Sequence, residues 1–96
     1  MSQKDWLNTI ALLKQAFEDK LEFDLFKLLL TTDEREAIIN RVKIVALLLD
    51  GSMNQRELKD HLGIGIATVT RGSNSLKEAR PEFKTWLEKK LNSNNH

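Results

Sequence analysis

The segment at residues 66–77 carries side chains whose types suit contact with nucleic acid. On a helix, the outer face would present Ile66, Ala67, Thr70 and Arg71. Threonine and alanine contact base edges and thymine methyl groups, and arginine contacts guanine or phosphate. Because most of these side chains are small, the backbone can approach a DNA groove closely. The segment is therefore a candidate for reading double-stranded DNA.

A helix-turn-helix at about residues 55–77 would position this face. Asn54 and Glu57 form the pattern of a capping box, which predicts a helix over about 55–62. Gly63 and Gly65 are expected to supply backbone angles that a side chain would hinder. A second helix follows from Ile66, and two short helices joined by a glycine-containing turn are typical of this motif.

Apolar residues at helical spacing would hold the two helices together. We expect Leu58, Leu62 and Val69 to meet beneath the turn.

Arg56 and Lys59 on the first of the two helices are candidates to anchor a phosphate backbone. A plain structural hairpin has the same pattern, so the motif favours DNA binding without establishing it.

Four further helices are predicted, which makes the chain all-α with six helices. They span about 4–20, 21–30, 32–50 and 81–91, and residues 92–96 are expected to be a frayed tail. The third helix begins at a capping-box pattern, Thr31-Thr32-Asp33-Glu34. Pro81 suits the first position of the last helix.

The third helix also predicts self-association. Apolar side chains surround most of its C-terminal half: Ile38, Ile39, Val42, Ile44, Val45, Leu47, Leu48 and Leu49. A helix that is apolar almost all round is buried on several sides, and a chain of 96 residues has few other elements to cover it. We therefore expect one domain over 1–96 that forms an intertwined homodimer through a core at about 4–50.

Composition excludes several other classes. The chain has no cysteine, so disulfides and thiolate metal sites are excluded. His61 is expected on a solvated helix face and His96 in the tail, and no metal-ligand or catalytic constellation is present, so we expect no enzyme. The apolar run Ile44–Leu49 is too short to span a bilayer. With no signal-peptide pattern, a cytoplasmic protein is expected.

The stretch at about 28–77 resembles the tryptophan repressor family. The resemblance is carried by TDEREA at 32–37, Arg41, QRELK at 55–59 and GIATVTRGSNSLK at 65–77. Lys59 and Gly72 depart from the generic helix-turn-helix pattern, but both are typical of this family. Thr32 stands where members often carry proline, so the third helix is expected to start with less preorganisation. The N-terminal arm is expected to be shorter than in some members.

The resemblance implies a corepressor pocket for L-tryptophan. Its two arginines, which sandwich the indole ring in this family, match Arg41 and Arg71, and Arg71 also meets the ligand carboxylate. Guanidinium groups suit both contacts. Through backbone carbonyls, Leu28 and Leu30 of the partner subunit would accept from the ligand ammonium group. The other matching positions are Thr31, Thr68, Gly72 and Ser75.

The resemblance also implies operator binding. Tryptophan beneath the fifth helix would hold it away from the core, so that two recognition helices reach successive major grooves. Helix-turn-helix dimers, this family among them, are known to read half-sites about 34–36 Å apart. Arg56 is the expected guanine contact, while Ile66, Ala67 and Thr70 are expected to read bases partly through water, as is known for the family. Phosphate contacts are expected from Gln55, Lys59, Thr68, Asn74 and Lys77.

Two alternatives stay open from the residues alone. One is a helix-turn-helix dimer with a different small-molecule effector or none. The other is a helical oligomerisation module without nucleic acid, which the net charge of only +1 allows. In that case Arg41 and Arg71 would be surface ion-pair partners. The positive charge nevertheless lies in the second half: residues 51–80 carry five basic and three acidic side chains.

Overall fold

Six helices account for nearly all of the part of the chain that the structure describes. The computed structural model describes residues 2–93, and side chains through Leu91. The helices are α1 (Gln3–Glu18), α2 (Glu22–Leu29), α3 (Thr32–Asp50), α4 (Gln55–Leu62), α5 (Ile66–Glu78) and α6 (Pro81–Ser93). No strand is present in this described part. The prediction of an all-α chain with six helices is confirmed.

The chain divides into two compact units, one ending at Arg35 and one beginning at Glu36. In the first unit, Ser2 caps the N-terminus of α1, and its hydroxyl accepts from the backbone N–H of Asp5 at 3.1 Å. Phe17 of α1 and Phe26 of α2 pack edge to face, with ring centroids 5.9 Å apart. The prediction of a single domain over 1–96 stays a prediction.

Most large apolar side chains of the first unit remain accessible in the single chain. Phe23 and Leu28 are 84% and 81% exposed, and Trp6, Leu7 and Ile10 are also exposed. A globular monomer rarely leaves so many large apolar groups open to water. These helices therefore present an apolar surface that a single copy of the unit does not cover.

A complete capping box begins α3. The backbone N–H of Thr31 donates to the Glu34 carboxylate at 2.9 Å, and the backbone N–H of Glu34 donates to the Thr31 hydroxyl at 3.1 Å. The Thr32 hydroxyl accepts from Arg35 at 3.3 Å. The capping box predicted at this position is confirmed, and it orients Thr31 without the proline that family members often carry next to it.

The second unit contains the helix-turn-helix and its core. Ile44, Leu58 and Val69 are fully buried, and Leu62 packs against them, so the predicted meeting of the apolar residues beneath the turn is confirmed. Asn54 and Glu57 complete the predicted capping box of α4. These contacts fix both the start of α4 and the side on which α5 packs.

The two turn glycines differ from the prediction. Gly63 has a φ of +67°, a left-handed conformation that favours glycine, and it caps α4. Gly65, in contrast, has a φ of −71° and open space around its α-carbon. The expectation that Gly65 also supplies a hindered backbone angle was therefore wrong, because its backbone is extended and lies in a region that any residue adopts.

Helix α6 begins at Pro81 as predicted and extends through Ser93. The helix continues past the last apolar residue, and the expectation of a frayed tail over 92–96 stays a prediction. Residues 94–96 of the expected tail lie outside the described part. No helix within residues 2–93 is long and apolar enough to cross a membrane.

Candidate nucleic-acid interface

Helix α5 presents two chemically different faces. Val69 and Ser73 are buried on the inner face. The outer face carries the side chains expected to contact DNA: Ile66, Ala67, Arg71, Asn74 and Lys77 are exposed, and Thr68 and Thr70 are half-buried. The helix thus offers a row of small, polar and cationic side chains, and Val69 on its inner face anchors it to the core.

Helix α4 adds cations beside this row. Arg56 is exposed and has a free guanidinium group among the described residues. The Lys59 ammonium lies 3.6 Å from a carboxylate oxygen of Asp60, and both side chains are substantially exposed. An ion pair with this exposure is weak, so it leaves Lys59 available for a phosphate.

Gln55 is occupied within the protein. Its side-chain carbonyl accepts from the Thr70 hydroxyl at 3.2 Å, and its amide nitrogen donates to the Ser73 hydroxyl at 3.2 Å. Ser73 is 7% exposed. The sequence prediction did not include Ser73; its position three residues after Thr70, on the same side of α5, was the available signal.

Gly72 lies at a close contact between α5 and α3. A β-carbon at this position would lie 2.8 Å from Cγ2 of Ile44. Arg41 stands three residues before Ile44, on the same side of α3, and Arg71 directly precedes Gly72. The contact therefore joins the two helical segments that carry the expected ligand-binding arginines. Ile44 was predicted only as an apolar residue of α3.

The two arginines have no carboxylate partner within residues 2–93, where Lys59–Asp60 is the single ion pair. Both are exposed, on α3 and α5. The alternative in which Arg41 and Arg71 are ion-pair partners of nearby acids is therefore not observed. Their guanidinium groups remain free to stack on a ring or bind a carboxylate.

The remaining expected pocket residues fall in different units. Thr68, Gly72 and Ser75 lie in the second unit on α5, half-buried except for the exposed Ser75. Leu28, Leu30 and Thr31 lie in the first unit. Among the described residues, the backbone carbonyls of Leu28 and Leu30 accept no hydrogen bond. Free carbonyls at the C-terminal end of a helix attract a cation.

Glu34 is the group with a shifted pKa beside these residues. The backbone amide of Thr31, and secondarily its hydroxyl, hydrogen-bond the Glu34 carboxylate and lower its pKa. A carboxylate that stays ionised keeps the α3 capping box closed and the Thr31 side chain oriented. Within the described part of the chain, no group of three or more histidine, aspartate or glutamate side chains is placed to hold a metal ion.

Comparisons with known proteins identify the family to which the chain belongs. The family model described as Trp repressor protein matches residues 4–91. A Trp operon repressor homolog of Histophilus somni strain 2336 is 46% identical over 94 residues, 98% of this chain and 89% of the relative. A homolog of the same name from Mannheimia succiniciproducens is 47% identical over 91 residues, 95% of this chain and 90% of the relative. The chain therefore belongs to the Trp repressor family, whose members are transcriptional regulators and not enzymes.

Proposed function

We propose that this protein is a tryptophan-dependent repressor that binds operator DNA as a homodimer, with L-tryptophan as corepressor. The observation that carries the proposal is the outer face of α5, which a capped helix-turn-helix with a fully buried core holds open to solvent. A regulator of bacterial operons acts at the chromosome, so we also infer a cytoplasmic location.

We assign the DNA contacts from the family resemblance, and the exposure and chemistry of each side chain support them. Arg56 is the cation best suited to a direct guanine contact, because it is exposed on α4 and has no ion-pair partner among the described residues. Ile66, Ala67 and Thr70 contact base edges or bridging water. Lys59, Thr68, Asn74 and Lys77 contact phosphates. The cationic contacts make binding strongly dependent on salt, since each neutralised phosphate releases counterions.

The corepressor acts through the position of α5. Arg41 and Arg71 sandwich the indole ring, and Arg71 also binds the ligand carboxylate. Support comes from the close approach of Gly72 to Ile44. Because the two helices are in contact there, any group placed between them changes the position of α5 relative to α3. A ligand at this position couples directly to the DNA-contacting face. Typical coupling between two such ligands is about 1–3 kcal/mol.

A second copy of the chain is the proposed cover for the exposed apolar surface. In the first unit this surface includes Trp6, Phe23 and Leu28, and on α3 it includes Ile38 and Val42. The homodimer brings the free carbonyls of α2 to the partner's ligand, where they accept from its ammonium group. It also supplies the two recognition helices that a palindromic operator requires.

The test is calorimetric titration of the dimeric protein with L-tryptophan, using two matched arginine variants. We expect one ligand per chain, loss of binding in Arg71→Ala with the dimer intact, and unchanged binding in Arg80→Ala, an exposed arginine outside the proposed site. If the unsubstituted protein releases no heat at several temperatures, the corepressor assignment is wrong and a different effector or none is indicated.

DNA binding is tested separately by fluorescence anisotropy with a pool of random duplexes. We expect binding that weakens steeply with salt and tightens on addition of L-tryptophan. Arg56→Ala should weaken DNA binding and leave the calorimetric titration unchanged, because Arg56 lies on α4, outside the proposed ligand site. Absence of any salt-sensitive binding would instead indicate a helical oligomerisation module.

A further inference from the structure

One side-chain amide joins the two helices of the helix-turn-helix. The carbonyl oxygen of Gln55, at the first residue of α4, accepts from the Thr70 hydroxyl, and its amide nitrogen donates to the Ser73 hydroxyl, each at 3.2 Å. Ser73 is the buried polar side chain of the described core, and the bond from Gln55 gives its hydroxyl a hydrogen-bond partner. We call these three side chains the α4–α5 clasp.

The clasp constrains α5 in a way that the apolar core does not. Burial of Leu58 and Val69 is favourable but non-directional, so it permits small rotations of α5 about its own axis. Hydrogen bonds depend on both distance and angle. Thr70 and Ser73 are separated by about one helical turn, so an amide bound to both fixes the rotation of α5 and its position along its axis.

We propose that Gln55 is a positioning residue for the recognition helix, and that its main role is the clasp and not a phosphate contact. This inference rests on the proposed function, since it explains how the DNA-contacting face is held. The side-chain oxygen and one N–H of Gln55 are bound inside the protein, which holds the amide against α5 and leaves its second N–H for any other partner. The Thr70 side chain, in contrast, is oriented by Gln55 while remaining half-exposed on the outer face.

Ser73 makes the proposal testable, because it is buried and cannot reach DNA. The variants are Gln55→Met, which keeps an unbranched side chain of similar length without hydrogen bonds, Ser73→Ala, and the double variant. Ser52→Ala is the matched control, since Ser52 is exposed in the loop before α4. The probes are a short duplex that the unsubstituted protein enriches from a random pool, and the unselected pool itself, both at one salt concentration with saturating L-tryptophan.

The expected result is a loss of discrimination. Ser73→Ala should weaken binding to the enriched duplex by roughly two- to tenfold, the range expected for one neutral hydrogen bond, and Gln55→Met, which removes both bonds, should weaken it at least as much. Binding to the unselected pool should change less, since it depends mainly on cations. The double variant should be no weaker than the weaker single variant, because both substitutions break the same clasp. Ser52→Ala should behave like the unsubstituted protein.

Two results would overturn the proposal. If Gln55 serves mainly as a phosphate ligand, Gln55→Met weakens binding to both probes equally while Ser73→Ala changes neither. If the clasp is merely structural, both variants lower the unfolding temperature but keep the ratio of the two affinities at temperatures where they are fully folded.

Hydrogen exchange without DNA separates failure of this proposal from failure of the proposed function. In the free protein, Gln55→Met and Ser73→Ala should each speed exchange of the α5 backbone amides, and their effects should not add. If the unsubstituted protein binds no duplex, the proposed function is wrong. Hydrogen exchange of the α5 amides is then the measurement that tests whether the clasp positions α5. Unchanged α5 exchange in both variants would then overturn it.

Discussion

Replacing Gly72 with alanine perturbs the contact between α3 and α5 directly. The new β-carbon would lie 2.8 Å from Cγ2 of Ile44 and 3.7 Å from its Cβ. Two carbon atoms pack best at about 3.5–4.0 Å, so the first contact is too short by about 0.7 Å or more. Ile44 is fully buried and branched at Cβ, which leaves its side chain little freedom to turn away. Helix α5 must therefore shift.

Two opposing effects set the magnitude. Forcing a methyl group into a packed core costs about 1–3 kcal/mol. Alanine in place of a helical glycine contributes about 0.5–1 kcal/mol in the other direction. We therefore expect Gly72→Ala to lower the free energy of unfolding by about 0–2.5 kcal/mol, whereas the same substitution at an unhindered helical glycine would raise it.

Two substitutions at Ile44 test whether its Cγ2 methyl causes this loss, because they should give Gly72→Ala opposite effects on the free energy of unfolding. Ile44→Leu removes the Cγ2 methyl, so in this background Gly72→Ala should raise the free energy of unfolding by about 0.5–1 kcal/mol. Ile44→Val removes only Cδ1 and keeps Cγ2, so in this background Gly72→Ala should still be destabilising. The assay is urea unfolding of all six proteins at one chain concentration, because the stability of a dimer depends on concentration.

One result of these double-mutant comparisons would contradict the inferred contact. If Gly72→Ala changes the free energy of unfolding equally in the isoleucine, valine and leucine backgrounds, Cγ2 of Ile44 does not limit position 72. The inferred close contact would then be wrong. Coupling of about 1–3 kcal/mol with leucine, and little with valine, would confirm it.

Three further predictions concern the helix ends and the core. Asn54→Ala should lower the free energy of unfolding by about 0.5–2 kcal/mol in urea, and Asn54→Ser, which keeps an acceptor, by less; equal losses would contradict the cap. Thr31 holds the pKa of Glu34 below its ordinary value, so the stability that Glu34 contributes is present above its unfolded pKa and is lost as pH falls through the folded one. The free energy of unfolding of Glu34→Gln should therefore fall less than that of the unsubstituted protein as pH is lowered. An equal fall in both proteins would argue against the lowered pKa of Glu34. Leu58→Ala should cost about 2–5 kcal/mol by thermal unfolding, against a small effect for the exposed Ile66→Ala; similar losses would mean that Leu58 is not in the core.

The helix boundaries were predictable because their causes are local. The capping boxes at Thr31 and Asn54 and the proline at 81 lie within a few residues of the ends that they define. The end of α6 was less well predicted, since no glycine or cap marks it and the helix extends to Ser93. Gly65 illustrates the same limit, because residue type alone does not show which of two nearby glycines takes the left-handed conformation.

The candidate DNA-contacting side chains were also accessible to sequence reasoning. Helical spacing separates the outer face of α5 from Val69, and the resemblance to a known family assigned contacts to that face. The sequence did not show which partner each polar side chain binds. Gln55 has the same residue type whether it contacts phosphate or hydroxyl groups of α5, and only the packing of α4 on α5 brings it to Thr70 and Ser73.

The sequence by itself therefore determined the six helices, the faces of α5 and the family, because caps, periodicity and motif spacing act over short separations along the chain. Tertiary structure decided which partners those faces meet. Ile44 and Gly72 are 28 positions apart, and their contact depends on how α3 and α5 pack. Contacts between distant segments depend on the simultaneous fit of many side chains, so the clasp and the α3–α5 contact became visible only in the folded chain.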